Sequence, residues 1–290
     1  MRLLRAALGA ALVLSATLAG GASAAPAASV EMAVHEVGGG SSTMRVPLAT
    51  LSALSEKVPP AAPRKAASAA GIYSLTNGKT AAWTGDGKIQ GCSASVVNTP
   101  SRRVLVTAAH CLYHHGMARP WIQTMRFVPG LEPDANEDPF EPIGGFEAAR
   151  FVVPKSWTLV QDRKWDFGFV IMKDRPNGDR VGDLVSSHGL WFNAPHSQQT
   201  QVVGYPITVE RGFRQVFCGG IPGRIAVDDA HIMRCGLGGE ASGGPWLYDY
   251  DANGLGLVMG VTSEHHSGGD NTAAYFGDLA RSIYDQVKDL

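Results

Sequence analysis

From residue 72 onward the chain is cut into short runs of β-branched and aromatic residues, each closed by a turn signal, and few folds tolerate that texture. The runs fall at 93–97, 103–107, 125–128, 149–153, 167–172, 201–203, 215–217, 231–234, 245–248 and 257–262. Turns such as Pro129-Gly130, Pro176-Asn177-Gly178 and Asp251-Ala252-Asn253-Gly254 stand between them. About ten strands at this spacing predict antiparallel barrels or sandwiches, an all-β fold. Thirty-five glycines and a charged fraction of 18% also fit a turn-rich β protein better than a helical bundle. Only the end departs: Leu279, Ile283 and Val287 recur at every fourth position and predict an amphipathic helix over 279–290.

The N-terminus reads differently. Residues 1–24 carry a basic start, an apolar run and the small-residue triplet Ala22-Ser23-Ala24, the pattern of a signal peptide and of a secreted, extracellular product. The apolar run is shorter than the ~20 residues of a membrane span, so no membrane anchor is expected. Residues 25–71 are rich in Ala, Ser, Pro and Gly and predict a largely disordered leader or propeptide, with a short helix possible at 48–54. Residues 72–290 form the folded domain. Four cysteines in an exported chain imply two disulfides. Three pairings exist; the sequence-local ones, Cys92–Cys111 and Cys218–Cys235, are favoured over a zinc site because no C-x-x-C occurs. A formal net charge of −1 excludes the basic footprint of a nucleic-acid binder.

Two stretches carry chemistry: Thr107-Ala108-Ala109-His110-Cys111 and Ala241-Ser242-Gly243-Gly244-Pro245. A hydroxyl is a poor nucleophile at neutral pH until an imidazole removes its proton, and a carboxylate must then orient that imidazole. The small residues around Ser242 let backbone N–H groups approach a developing oxyanion.

Together the two stretches resemble the trypsin/chymotrypsin-like serine proteases, in that family's order of His before Ser. The similarity extends over roughly residues 84 to 280. It includes Gly91-Cys92-Ser93-Ala94-Ser95-Val96-Val97, with Cys92 as the partner of Cys111. Phe127-Val128-Pro129-Gly130 and Val203-Gly204-Tyr205-Pro206 look like segments of secreted bacterial members, the V8-like glutamyl endopeptidase group among them. The resemblance implies two six-stranded antiparallel barrels with a C-terminal helix. It also implies a catalytic triad of His110, Asp166 and Ser242 in the cleft between them. Asp166 fits within Trp165-Asp166-Phe167-Gly168, ahead of Asp162 in a polar loop and Asp174 after the strand. Ser263 matches the serine that supports the buried aspartate.

Two positions depart from the family pattern. Ala241 stands where trypsin-type zymogens have the Asp that receives a new N-terminal amine. Glu240 stands where the family has Gly, at one of the two oxyanion-hole positions whose N–H acts with that of Ser242. A Glu there either strains the loop and turns the N–H away, folds its carboxylate inward and repels the oxyanion, or points to solvent and leaves the N–H in place. The expected substrate pocket comprises Gly236, Leu237, Thr262, Ser263 and Glu264. Gly236 in place of an acidic base argues against a strong Arg or Lys preference, Thr262 replaces the glutamyl-endopeptidase histidine, and Glu264 offers a negative rim.

His114-His115 and His265-His266 read as surface loops, because adjacent strand residues face opposite ways. The acidic run from Glu132 to Glu141 lacks EF-hand spacing. No metal and no cofactor is expected. The primary expectation is a monomeric, secreted serine endopeptidase acting on protein or peptide substrates, its activity rising with pH through about 7 as His110 deprotonates. The other is a catalytically weak or inactive protease-fold binding protein, motivated by Glu240.

Overall fold

A computed structural model describes residues 29–47, 55–62 and 73–290. The signal-peptide segment and the expected helix at 48–54 lie outside the described residues. The strands are β1 (Ser29–Glu36), β2 (Ser41–Pro47), β3 (Glu56–Val58), β4 (Asn77–Trp83), β5 (Ile89–Val96), β6 (Val104–Thr107), β7 (Thr124–Pro129), β8 (Glu132–Pro133), β9 (Pro139–Phe140), β10 (Phe146–Pro154) and β11 (Gly168–Met172). Then follow β12 (Gly189–Phe192), β13 (Thr200–Gly204), β14 (Val216–Gly220), β15 (Gly223–Ile225), β16 (Ala230–Arg234), β17 (Pro245–Tyr248), β18 (Leu257–His265) and β19 (Asp270–Tyr275).

The sheet β11-β6-β5-β4-β7-β10 closes on itself through the β10–β11 pairing, a six-stranded barrel. The second sheet, β14-β13-β17-β18-β19-β16-β15, curls into a half-barrel with β12 added beside β18. The all-β double-barrel expectation therefore holds. Each of the ten runs read from sequence overlaps a strand. The first barrel is filled by Val96, Leu105, Phe127, Phe151, Trp157 and Val170, among others. A second core lies where the barrels meet, with Phe167, Phe169, Leu190, Phe192, Val203 and Val258. The C-terminal helix Asp278–Val287 seals it with Leu279, Ile283 and Val287, the three residues its spacing singled out. Such burial is worth about 1.5–3 kcal/mol per large side chain.

The leader departs from its composition. β1 and β2 form a hairpin, and β1 pairs antiparallel with β10 from Met32↔Pro154 to Glu36↔Arg150. Met32, Val34 and Val46 enter the shared core, and β3 pairs with β12. Disorder was expected because polar and small residues dominate the average. What decides the matter locally is the alternation of Val30, Met32 and Val34, which presents one apolar face to an exposed strand edge. Both sulfur pairs close as expected, Cys92–Cys111 with Cα atoms 6.3 Å apart and Cys218–Cys235 at 5.4 Å.

Candidate active site

His110 sits in the single 3-10 turn Ala109–Cys111 that follows β6, with Cys111 bonded to β5 through Cys92. Asp166 lies just before β11, which pairs with β6 at Gly168↔Thr107. Neighbouring strands thus deliver both groups to one end of the first barrel. The fully buried Asp166 carboxylate accepts from the His110 backbone N–H at 2.9 Å through Oδ1. Its Oδ2 lies 2.8 Å from His110 Nδ1 and accepts from Ser263 Oγ at 2.6 Å. Burial alone disfavours the charged imidazole. The charge and hydrogen bond of Asp166 outweigh it, so the His110 pKa is raised above its ordinary value. Burial likewise opposes the Asp166 carboxylate, yet His110 and Ser263 hold its pKa below the usual range.

Ser242 precedes β17, in a loop clamped against the His110 segment. Ser93 N–H on β5 donates to the Ser242 carbonyl at 2.8 Å, and Ser93 Oγ donates to the Glu240 carbonyl at 2.9 Å. Gly243 has φ +83°, and a Cβ there would strike the Ser93 carbonyl and Thr107 Oγ1, three residues from His110. Only glycine allows that approach. Gly243→Ala is therefore expected to push the loop off the β5–β6 edge. Activity should fall about 100-fold, since misplacement of about 1 Å costs that much. A stability loss of about 1–3 kcal/mol should accompany it in chemical denaturation.

The N–H groups of Ala241, Gly243 and Gly244 bond to the carbonyls of Gly238, Thr262 and Ala241. Those of Glu240 and Ser242 donate to no partner among the described residues. Two uncommitted donors flanking a serine are what a carbonyl oxygen acquiring charge requires. Glu240 itself has φ +70°. Its carboxylate takes neither arrangement expected from sequence. It turns toward the first barrel and pairs with Lys79 Nζ, which also donates to the Tyr205 carbonyl at 3.0 Å.

The expected pocket residues scatter more. Ser263 and Glu264 line a small cavity of about 70 Å³ shared with Arg163 and Thr272. Glu264 pairs with Arg163 at 2.9 Å, which offsets the negative rim expected of it. Leu237, placed on the pocket wall from sequence, is buried in the second barrel's core with Val202 and Trp246. Asn271 holds its backbone by two hydrogen bonds, 3.0 and 2.9 Å. Thr262 is buried and accepts from Trp246 Nε1 at 3.0 Å, while Gly236 adopts φ +63°. The competing acids are occupied elsewhere: Asp162 caps the turn before Trp165, and Asp174 chelates Arg103 with two contacts of 2.6 Å. His265 and His266 are exposed, although His265 ends β18, paired with Asn271, rather than lying in a loop, and His115 bonds to the Trp157 carbonyl. Lys79, Ser93 and Arg163 were missed in the sequence.

This is the trypsin-like double-barrel fold of bacterial serine proteases. The chain is similar to protease Anisep of Arthrobacter nicotinovorans, at TM-score 0.67 and 23% identity over 82% of this chain and 100% of that one. It is also similar to the thermostable serine protease AL20 of an extremophilic microorganism, at TM-score 0.65 and 23% identity over 74% and 97%. A Glu endopeptidase matches at TM-score 0.61 and 15% identity over 80% and 98%. No family model matches the chain. A Bacillus subtilis (strain 168) protein named extracellular metalloprotease is 27% identical over 121 residues, 40% of this chain and 33% of that relative. The alignment thus spans a third of the relative's length. Among the described residues the one grouping of ligand-type atoms is Cys92, His110 and Cys111. Its two sulfurs are joined as a disulfide, so it offers no thiolate, and this donor set does not fit a metal ion.

Proposed function

We propose that this chain is a secreted serine endopeptidase that hydrolyses peptide bonds through Ser242, His110 and Asp166. The observation that carries the reading is Asp166, buried and bonded to both the backbone and the ring of His110 beneath the Ser242 loop. In this reading Ser242 Oγ attacks the peptide carbonyl carbon while His110 Nε2 takes its proton. The carbonyl oxygen gains charge opposite the N–H groups of Glu240 and Ser242. Collapse breaks the C–N bond, His110 protonates the departing amine, and water hydrolyses the acyl-enzyme by the same steps in reverse order. Arg163 beside Glu264 and glycine at 236 support cleavage without a strong preference for basic side chains. The 1–24 segment and two disulfides support export to an oxidising compartment. No helix among the described residues is long and apolar enough to cross a membrane.

The binding-protein reading rested on Glu240 straining the loop, turning its N–H away or folding its carboxylate inward; the pairing with Lys79 argues against the inward carboxylate, and the N–H without a partner among the described residues supports the enzyme reading. The test is labelling of the secreted protein with a fluorophosphonate, alongside hydrolysis of a casein or peptide-library substrate. Labelling and hydrolysis that both vanish in Ser242→Ala are expected. Folded wild-type protein that neither labels nor cleaves would sink the proposal.

A further inference from the structure

We propose that the Lys79–Glu240 ion pair holds the Glu240 backbone in place for oxyanion binding, which makes Lys79 a positioning residue that acts through Glu240. This inference rests on the serine endopeptidase reading above. Lys79 stands in the middle of β4, on the first barrel, with its side chain only 10% exposed. Its ammonium reaches across the cleft to Glu240 and to the Tyr205 carbonyl, both in the second half of the chain. Burial lowers the Lys79 pKa, and the bond and charge of Glu240 oppose that shift. A buried ammonium with no carboxylate beside it would be costly, so each member of the pair fixes the other.

The slot around the pair is specific. A Cβ at Gly91 would run into the Glu240 carboxylate, and one at Gly212 into the Lys79 ammonium. The backbone at Glu240 is left-handed, φ +70°, a region costly for a residue with a Cβ. Without a tether a glutamate there tends to relax toward negative φ and swing its N–H away. Here the carboxylate is held by Lys79 and the carbonyl by Ser93 Oγ. The N–H is left as the uncommitted group. Family members with glycine at this position adopt such a backbone freely. In this chain a charged tether takes over that role, and the ammonium also cancels a negative charge that would otherwise sit near the oxyanion.

The experiment compares wild type, Ser242→Ala, Lys79→Met, Glu240→Ala, Glu240→Gly and the Lys79→Met/Glu240→Gly double variant. Each is followed by peptide hydrolysis, fluorophosphonate labelling rate and melting temperature. Lys79→Met is expected to lower kcat about 10- to 100-fold, less than or equal to the loss of a whole oxyanion donor, with KM nearly unchanged. The labelling rate should fall by the same factor, because the phosphonyl oxygen uses the same N–H groups. Glu240→Ala keeps the left-handed strain without the tether and should fall similarly, whereas Glu240→Gly should lose much less. The double variant should recover at least about tenfold over Lys79→Met, a coupling that independent sites do not show. Folded Lys79→Met or Glu240→Ala with kcat within about twofold of wild type would overturn the proposal. So would a double variant no better than Lys79→Met. If Lys79→Met does not fold, the Ala-against-Gly contrast at Glu240 decides. Absence of Ser242-dependent labelling in wild type, read before any Lys79 variant, overturns the endopeptidase reading and this inference with it.

Discussion

Asp166→Asn is expected to reduce kcat about 10⁴-fold while leaving KM and the fold largely intact. Three donors converge on this carboxylate: the His110 N–H on Oδ1, and His110 Nδ1 and Ser263 Oγ on Oδ2. An asparagine has only one acceptor oxygen, so its NH2 must face one side. If the NH2 takes the Oδ2 side, His110 Nδ1 becomes the acceptor and the ring proton moves to Nε2. That nitrogen then cannot accept the proton of Ser242. If the NH2 takes the Oδ1 side, it confronts the His110 backbone N–H, and a buried donor left unsatisfied costs about 1–3 kcal/mol. That cost disfavours the second arrangement, and the first disables the base without touching Ser242. The pH profile provides a second readout. Wild-type kcat/KM should rise through one ionisation above the ordinary imidazole value, because the Asp166 charge raises the His110 pKa. In the variant that upward shift should disappear. Residual activity above about a tenth of wild type would contradict the role given to Asp166.

That aspartate was readable in the sequence, as an acid entering an apolar strand between the two motifs. His110 and Ser242 were readable for a similar reason, since glycine, alanine and cysteine crowd around them where backbone must approach closely. Among the strands that escaped notice are β4, β12 and β19, besides the short β3, β8, β9 and β15. Asn77-Gly78-Lys79-Thr80-Ala81-Ala82-Trp83 opens like a turn and carries two alanines, so its pairing with β5 and β7 is imposed by tertiary context rather than propensity. The leader hairpin was hidden for the opposite reason: its surroundings are low in apolar content, while the three alternating residues that matter are few. The Lys79–Glu240 contact joins positions 161 residues apart, and no local pattern encodes such a pairing. Glu240 was nevertheless flagged by its departure from the family, so the sequence located the anomaly and the fold supplied its partner.

Acidification is expected to unfold the protein well above pH 3, driven by two buried histidines remote from catalysis. His188 is fully buried; its Nε2 donates to Asn77 Oδ1 at 2.9 Å, and its Nδ1 accepts from the Gly256 N–H at 3.2 Å. Both ring nitrogens are thus committed in the neutral form, and a proton on Nδ1 would face another N–H. His231 is also buried, among Trp246, Tyr275 and His196. Burial lowers the pKa of each to about 3, against 6.5 when unfolded. Between those values the unfolded chain binds two more protons than the native one. Stability therefore falls with decreasing pH by about 2.7 kcal/mol per unit, from near pH 6.5 downward. The whole window amounts to on the order of 10 kcal/mol, comparable with the total stability of a typical domain. Lowered values at His35, His114 and His196 act in the same direction. His110 does the reverse, because its raised value gives up stability only as pH climbs above 6.5. Stability should peak near neutrality. Chemical denaturation at pH steps from 4 to 8 reads the slope directly. His231→Phe, which fills the same apolar setting with a ring that cannot titrate, should remove about half of the slope and raise stability at pH 5. A slope below about half a proton in wild type, or an unchanged slope in His231→Phe, would mean that these histidines admit a proton without disturbing the fold.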